Sequence, residues 1–229
     1  MNGKKLIMSS GGGAPLPEYI GSVTKSAAYD FYWDQNEPAN VLSVAQTGDL
    51  VVMAITAARN FSGEPFQFGG MPFQNSFDYL YWDDLIHAQI GYRVVQSGDS
   101  NPYITFPSDL ARGISAVFSV FRGPIGITDG VNPTHSSSSQ GSNPNPPSWQ
   151  SNGTQSSMHI VTAHGSADAD TFSATPSGYT LAAQKTQSQQ NDLTSTALAY
   201  KIEFDNFEDP SAWTWNGSGR HVAFTAGFL

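Results

Sequence analysis

Ala88-Gln-Ile-Gly-Tyr-Arg-Val94 returns about 108 residues later as Ala197-Leu-Ala-Tyr-Lys-Ile202. The segments downstream of each copy recur as well. Ile104-Thr-Phe106 and Arg112-Gly-Ile-Ser-Ala-Val-Phe118 are answered by Trp213-Thr-Trp215 and Arg220-His-Val-Ala-Phe224. Each copy is a strand ending in aromatic-cation-aliphatic, a gap holding an acidic residue, a flanked threonine and a closing strand. Such self-similarity predicts one small β unit used twice. A half with only about four strands leaves one apolar face uncovered, so the pair predicts two halves of one sandwich and not two independent domains.

Outward from the repeat, Gly48-Asp49 is a turn signal before Leu50-Val-Val-Met-Ala-Ile-Thr56, an apolar, β-branched run of the kind found in buried strands. Met158-His-Ile-Val-Thr-Ala163 matches its Val51-Val52 at an offset of 109. At the end of the chain, Val222, Phe224, Ala226 and Phe228 alternate with His221, Ala223, Thr225 and Gly227, a period of two. Residues 59–76, rich in Gly, Phe and Pro, read as a long loop packed by its aromatics. The periodicity of Phe77 to Leu85 does not decide between strand and short helix. Ala182 to Asp192 comes nearest to a helix but is Gln-rich and lacks an apolar stripe.

The clearest break runs from 122 to 157, with four serines at Ser136 to Ser139 and then Gly141-Ser-Asn-Pro-Asn-Pro-Pro147. It reads as a linker or a surface excursion. The expected architecture is therefore all-β, a jelly-roll-like two-sheet sandwich over 19–229. Its halves, 19–123 and 158–229, are joined by the excursion 124–157, and an extended arm, 1–18, precedes them. In that arm Leu6, Ile7, Met8 and Leu16 are the apolar anchors expected to order against a partner.

Composition narrows the function classes. Charged residues are 13% of the chain and hydrophobic ones 39%, so Ser, Thr, Asn, Gln and Gly must cover much of the surface. A net charge of -9 with ten scattered Lys and Arg argues against nucleic-acid binding through phosphates. The lack of cysteine excludes a disulfide framework and thiolate metal sites. No stretch reaches the roughly 18 apolar residues of a membrane-spanning helix, so membrane insertion is not expected. Met1-Asn-Gly-Lys-Lys-Leu-Ile-Met8 runs into Ser9-Ser-Gly-Gly-Gly13 without an apolar core, which argues against classical secretion.

The chemistry-bearing residues form no catalytic set. His159 and His164, five apart on one strand, point to opposite faces and cannot share a metal there. His87, His135 and His221 have no nearby partner at ligand spacing. Glu203, Asp205, Glu208 and Asp209 gather in one loop, with Asp168 and Asp170 a second pair. A calcium site is conceivable there, but the spacing of a calcium loop is missing, so a solvated acidic turn is the expectation and neither metal nor cofactor is assigned. Asp83-Asp84 beside Trp82 imitates a glycosidase acid, yet adjacent strand positions diverge. No Gly-x-Ser-x-Gly elbow or Walker loop is present. Trp213 and Trp215, at i and i+2, share a strand face and are expected in the core. Trp82 and Trp149 are the aromatics left to contact a glycan.

In order along the chain, these blocks resemble small β-sandwich structural proteins of bacteriophage tails and virions. The blocks are Tyr19-Ile-Gly-Ser-Val23, Gly48-Asp-Leu50, Gly91-Tyr-Arg-Val94 leading to Phe106, and Val117-Phe-Ser-Val-Phe-Arg-Gly123, with a second half that repeats the pattern and ends in a short apolar strand. The resemblance implies a non-enzymatic virion component, in a tail, a fibre or a capsid decoration. It also implies attachment to other virion proteins through the arm and homo-oligomeric assembly as a trimer or ring. The alternative it leaves is a carbohydrate- or receptor-binding module meeting host surface polysaccharide. It supplies no catalytic residue.

Overall fold

The structure, a computed structural model, describes residues 15–29, 35–60, 65–81, 86–106, 111–125, 134–135, 139–140, 143–151, 156–166, 171–188, 193–217 and 219–228. The first half contributes β1 (Glu18–Tyr29), β2 (Leu50–Asn60), β3 (Gln67–Gly69), β4 (Gln74–Tyr81), β5 (Ile86–Val94), β6 (Tyr103–Phe106) and β7 (Ala111–Arg122). The joining stretch contributes β8 (Thr134–His135), β9 (Ser139–Gln140) and β10 (Trp149–Gln150), and the second half β11 (Met158–Ser166), β12 (Phe172–Ala174), β13 (Thr180–Gln187), β14 (Thr194–Lys201), β15 (Phe207–Glu208), β16 (Thr214–Trp215) and β17 (Arg220–Phe228). No α-helix occurs among the described residues. Of the stretches at 77–85 and 182–192, residues 77–81 are strand in β4 and 182–187 strand in β13; 82–85 and 189–192 lie outside the described residues.

Each half centres on one large antiparallel sheet, with the two-stranded sheets β3–β6, β10–β15 and β12–β16 beside them. The first has the order β1-β7-β2-β5-β4, the second β13-β14-β11-β17-β8, with β9 also on β17. Each central strand (β2 or β11) lies between a cation-bearing strand (β5 or β14) and the last long strand of its half (β7 or β17). Pairing register aligns the copies. Val52 faces Tyr92 as Ile160 faces Tyr200, and Leu50 faces Phe121 as Met158 faces Phe228. This sets the offset of the central strands at 108, where the sequence match gave 109. The expected all-β sandwich is what the described strands form, each large sheet drawing its long strands from one half.

The continuous apolar run in β2 follows from burial on both faces. Leu50, Val52 and Ala54 pack between the sheets, while Val51, Met53, Ile55 and Ala57 point the other way into a second core. That outer core is closed by Phe66, Phe68, Met71 and Ile104, which β3 and β6 and the residues around them supply. On the other sheet, Val161, Ala163, Ala197 and Ala199 are covered by Phe172, Tyr179, Trp213 and Trp215, from β12, β16 and their flanks. The flanked threonines of the repeat thus mark the two covering pairs, β3–β6 and β12–β16. Burying one Val, Ile or Phe is worth about 1.5–3 kcal/mol, so three such layers dominate the stability.

The sheets meet face to face with reciprocal contacts. The Phe121 ring packs edge-on to Tyr200, centroids 5.5 Å apart, and its counterpart Phe228 packs edge-on to Tyr92 at 5.8 Å. Residue i of one half touches j of the other while their counterparts touch in return, the signature of an isologous, twofold-like interface. Near that axis Thr56 Oγ1 lies 2.8 Å from Nδ1 of His164, a residue 108 positions on and its own counterpart.

The break at 122–157 is not all excursion. Thr134, His135, Ser139 and Gln140 pair with β17, and Trp149-Gln150 pairs with β15. Their polar composition hides them from periodicity; pairing to a buried strand makes them strands.

Candidate functional site

Two polar groupings stand out against the apolar layers. The first is a seam inside the sandwich. Thr56 Oγ1 lies 2.6 Å from Thr196 Oγ1, which lies 2.8 Å from Ser115 Oγ, and the Thr162 hydroxyl lies 2.9 Å from His164 Nε2. All five residues are wholly buried. Burial pushes the His164 pKa down to about 3, against a partial offset from the Ile55 carbonyl and with a small further push from His87. The imidazole is therefore neutral at ordinary pH and serves to join the sheets.

The second grouping lies on the outer face of the second sheet, where β14 ends. Lys201 leaves the sheet there and its ammonium contacts both Glu203 and, at 3.0 Å, Glu208. Ligand oxygens of Glu203, Asp205 and Glu208 all lie within 4.8 Å of one another. The loop is pinned from two sides. Asp205 and Ser156 exchange backbone hydrogen bonds of 3.0 and 2.7 Å, and Glu208 pairs with Trp149 through β10–β15. The Asp205 carboxylate accepts the N–H groups of Phe207 and Asn206, which hold its pKa below the usual range. Burial would lower Lys201, but its bonds to Glu203 and Glu208 outweigh this and raise it.

His159 stands across the β11–β14 ladder from Lys201, with no exposed surface. Neither of its ring nitrogens has a hydrogen-bond partner among the described residues, and its ring sits edge-on to Trp149 at 5.4 Å. Burial lowers its pKa, and the charge acting on it most is Glu208. The Tyr179 hydroxyl, also buried, has its pKa raised by burial and then by Glu208.

His159 and His164 do face opposite sides of β11, one toward this loop and one into the seam. Trp213 and Trp215 are buried as expected. Trp149 is a correction: at 3% exposure, stacked over Gly227, it offers no indole to a glycan. It is drawn inward because Gly227 leaves the space, and a Cβ there would stand 2.4 Å from the ring. Leu16 is exposed, next to Pro17, which abuts Gly123. Leu6, Ile7, Met8, Trp82, the Asp83-Asp84 pair, Asp168 and Asp170 lie outside the described residues.

No family model, curated protein or solved structure matches this chain.

Sequence reasoning missed a second, shorter repeat. Gln46-Thr-Gly-Asp49 and Gln96-Ser-Gly-Asp99 are twin turns. In each, glycine takes a positive φ (91° and 99°) and the aspartate accepts the glutamine N–H, at 2.9 and 2.8 Å. Each carboxylate also takes a two-pronged arginine, Arg122 on Asp49 and Arg93 on Asp99. Burial alone would raise both acids, but these bonds outweigh it and hold them below the usual range. Gln-x-Gly-Asp, read twice, was the available signal for the turns. Nothing local in the sequence announces His159 and Tyr179 beside the acidic loop, because they arrive from β11 and from the turn before β13.

Proposed function

We propose that this chain is a non-enzymatic structural protein of a bacteriophage particle, in its tail or fibres, held there through the arm at its N-terminus. The observation that carries the reading is where the resembling blocks fall. Tyr19 to Val23, Gly48 to Leu50, Gly91 to Val94 and Val117 to Gly123 lie in or at the ends of β1, β2, β5 and β7. Motifs that recur as scaffold, and not around a reactive group, suit a protein whose task is shape. A surface carried by Ser, Thr, Asn and Gln at 13% charge suits repeated side-by-side packing without ionic selection. In this reading Leu6, Ile7, Met8 and Leu16 seat on a neighbouring virion protein, and copies assemble symmetrically.

The test removes residues 1–14 and leaves β1 and the Pro17 contact in place. The truncated chain is expected to keep the thermal transition of the full chain and to be missing from purified particles by mass spectrometry. Incorporation at the full-length level refutes the anchoring role. Absence of the intact protein from particles refutes the structural one.

A further inference from the structure

The exposed large hydrophobic side chains among the described residues are Leu16, Leu181, Phe204 and Phe207. They are far apart in sequence and gather at one place in the fold. The Tyr19 hydroxyl donates to the Ala182 carbonyl at 3.0 Å, and the Tyr19 ring stacks on Tyr200 with centroids 4.8 Å apart. Leu16 lies three residues before Tyr19, Leu181 one before Ala182, and Phe204 and Phe207 four and seven after Tyr200. All four thus belong to the end of the sandwich where β1 and β13 begin and β14 ends. Apolar side chains scattered singly need no explanation; a gathering at one end marks an interaction surface.

We propose that this end is the seat of the chain's own arm. Leu6, Ile7 and Met8 cover Phe204, Phe207 and Leu181, and Lys4 and Lys5 meet the acids beside the two phenylalanines.

Charge selects the occupant. Residues 1–17 hold Lys4 and Lys5 and no acid, and nowhere else in the chain do two cations adjoin. Beside the exposed rings stand Glu203, Asp205, Glu208 and Asp209 against the single ammonium of Lys201. A second copy docking end to end would bring the same acids face to face, which like charge opposes. An apolar triplet led by two lysines answers both parts of the surface, the rings and the surplus charge.

Reach selects the copy. The arm joins the body at Pro17, which abuts Gly123 two residues before Tyr19. Ser9 to Leu16, eight residues with three glycines, form the tether. Such a tether spans at most about 26–29 Å and averages about 16 Å. The seat therefore sees its own arm at an effective concentration on the order of millimolar, ahead of any arm from solution. The Ser156–Asp205 exchange and the Trp149–Glu208 pair already fix the backbone of the seat, so the ordering cost falls on the arm alone. In the particle reading, the residues that anchor the chain are held on its own body until a neighbour draws them away.

The experiment uses the full chain, free in solution, and times trypsin cleavage after Lys4 and Lys5 by intact-mass spectrometry. Wild type should be cut at least about tenfold more slowly than Phe204→Ser/Phe207→Ser, because proteolysis follows the population with the arm released. Both phenylalanines are exposed, so the double variant should keep the wild-type thermal transition. Protection should fall with added salt and not depend on protein concentration. A carbodiimide, which joins amines and carboxylates in contact, should link Lys4 or Lys5 to Glu203 or Asp209. In an equal mixture of light and isotopically heavy protein, each linked pair should carry one label only.

Equal cleavage of wild type and the folded double variant overturns the seat. So does the absence of these links, or links from Lys4 and Lys5 to other carboxylates. Linked pairs that mix the labels, or protection that rises with protein concentration, put the arm on another copy and overturn the tether. No particle enters these measurements, so their failure is distinct from failure of the particle reading.

Discussion

Replacing His164 with glutamine isolates what the buried seam costs at low pH. Glutamine keeps a donor and an acceptor near Thr56 and Thr162 but does not titrate. In the folded chain the imidazole pKa is about 3; in the unfolded chain it returns to an ordinary value near 6.5. Between these values the unfolded state binds more protons, so stability is complete above about pH 6.5 and falls as pH drops toward 3. The slope is about 1.4 kcal/mol per pH unit, which gives about 2 kcal/mol at pH 5 and up to ~5 kcal/mol at full titration. Asp49, Asp99 and Asp205 also have depressed pKa values, so acid weakens both proteins through them. The difference between the two curves removes that shared part. Urea unfolding followed by tryptophan fluorescence, from about pH 7.5 to pH 4.5, measures it. Wild type should lose ground to His164→Gln at close to the stated slope. Parallel curves would refute the assignment of His164 as a neutral, enclosed joint.

Phe121→Ala and Phe228→Ala, at counterpart positions, should each cost about 3–5 kcal/mol and agree within about 1 kcal/mol, measured by the same unfolding assay. Gly165→Ala places a Cβ 2.7 Å from the Trp215 ring; overpacking of this kind costs about 1–3 kcal/mol and should alter the near-ultraviolet circular dichroism. Asp99→Asn should lower stability near neutrality and flatten the acid limb. The native carboxyl titrates below its ordinary value, so its contribution is present above that value and is lost as pH falls through the lowered one.

The repeat was legible because both halves keep the same strand endings, Tyr92-Arg93 and Tyr200-Lys201, each cation meeting an acid soon after. The two-sided burial of β2 was legible in its unbroken apolar run. Which strand neighbours which was not, since alternation reports faces and not order. The short strands at 134–135 and 139–140 could not be read because Thr-His and Ser-Gln carry no pattern, and only their pairing to β17 defines them. In the acidic loop the carboxylates were visible and their company was not. Trp149 misled because composition cannot say that Gly227 leaves a recess for it.

The meeting of Thr56 with His164 has a consequence for symmetry. In a dimer of identical subunits, a residue on the twofold axis faces itself, so an imidazole there would face another imidazole, and protonation would set like charges in contact. Joining the halves in one chain lifts that constraint. One side keeps a hydroxyl, the other an imidazole, and the two complement each other as donor and acceptor. Two alike halves within one chain thus give the central contact a freedom that subunit symmetry forbids.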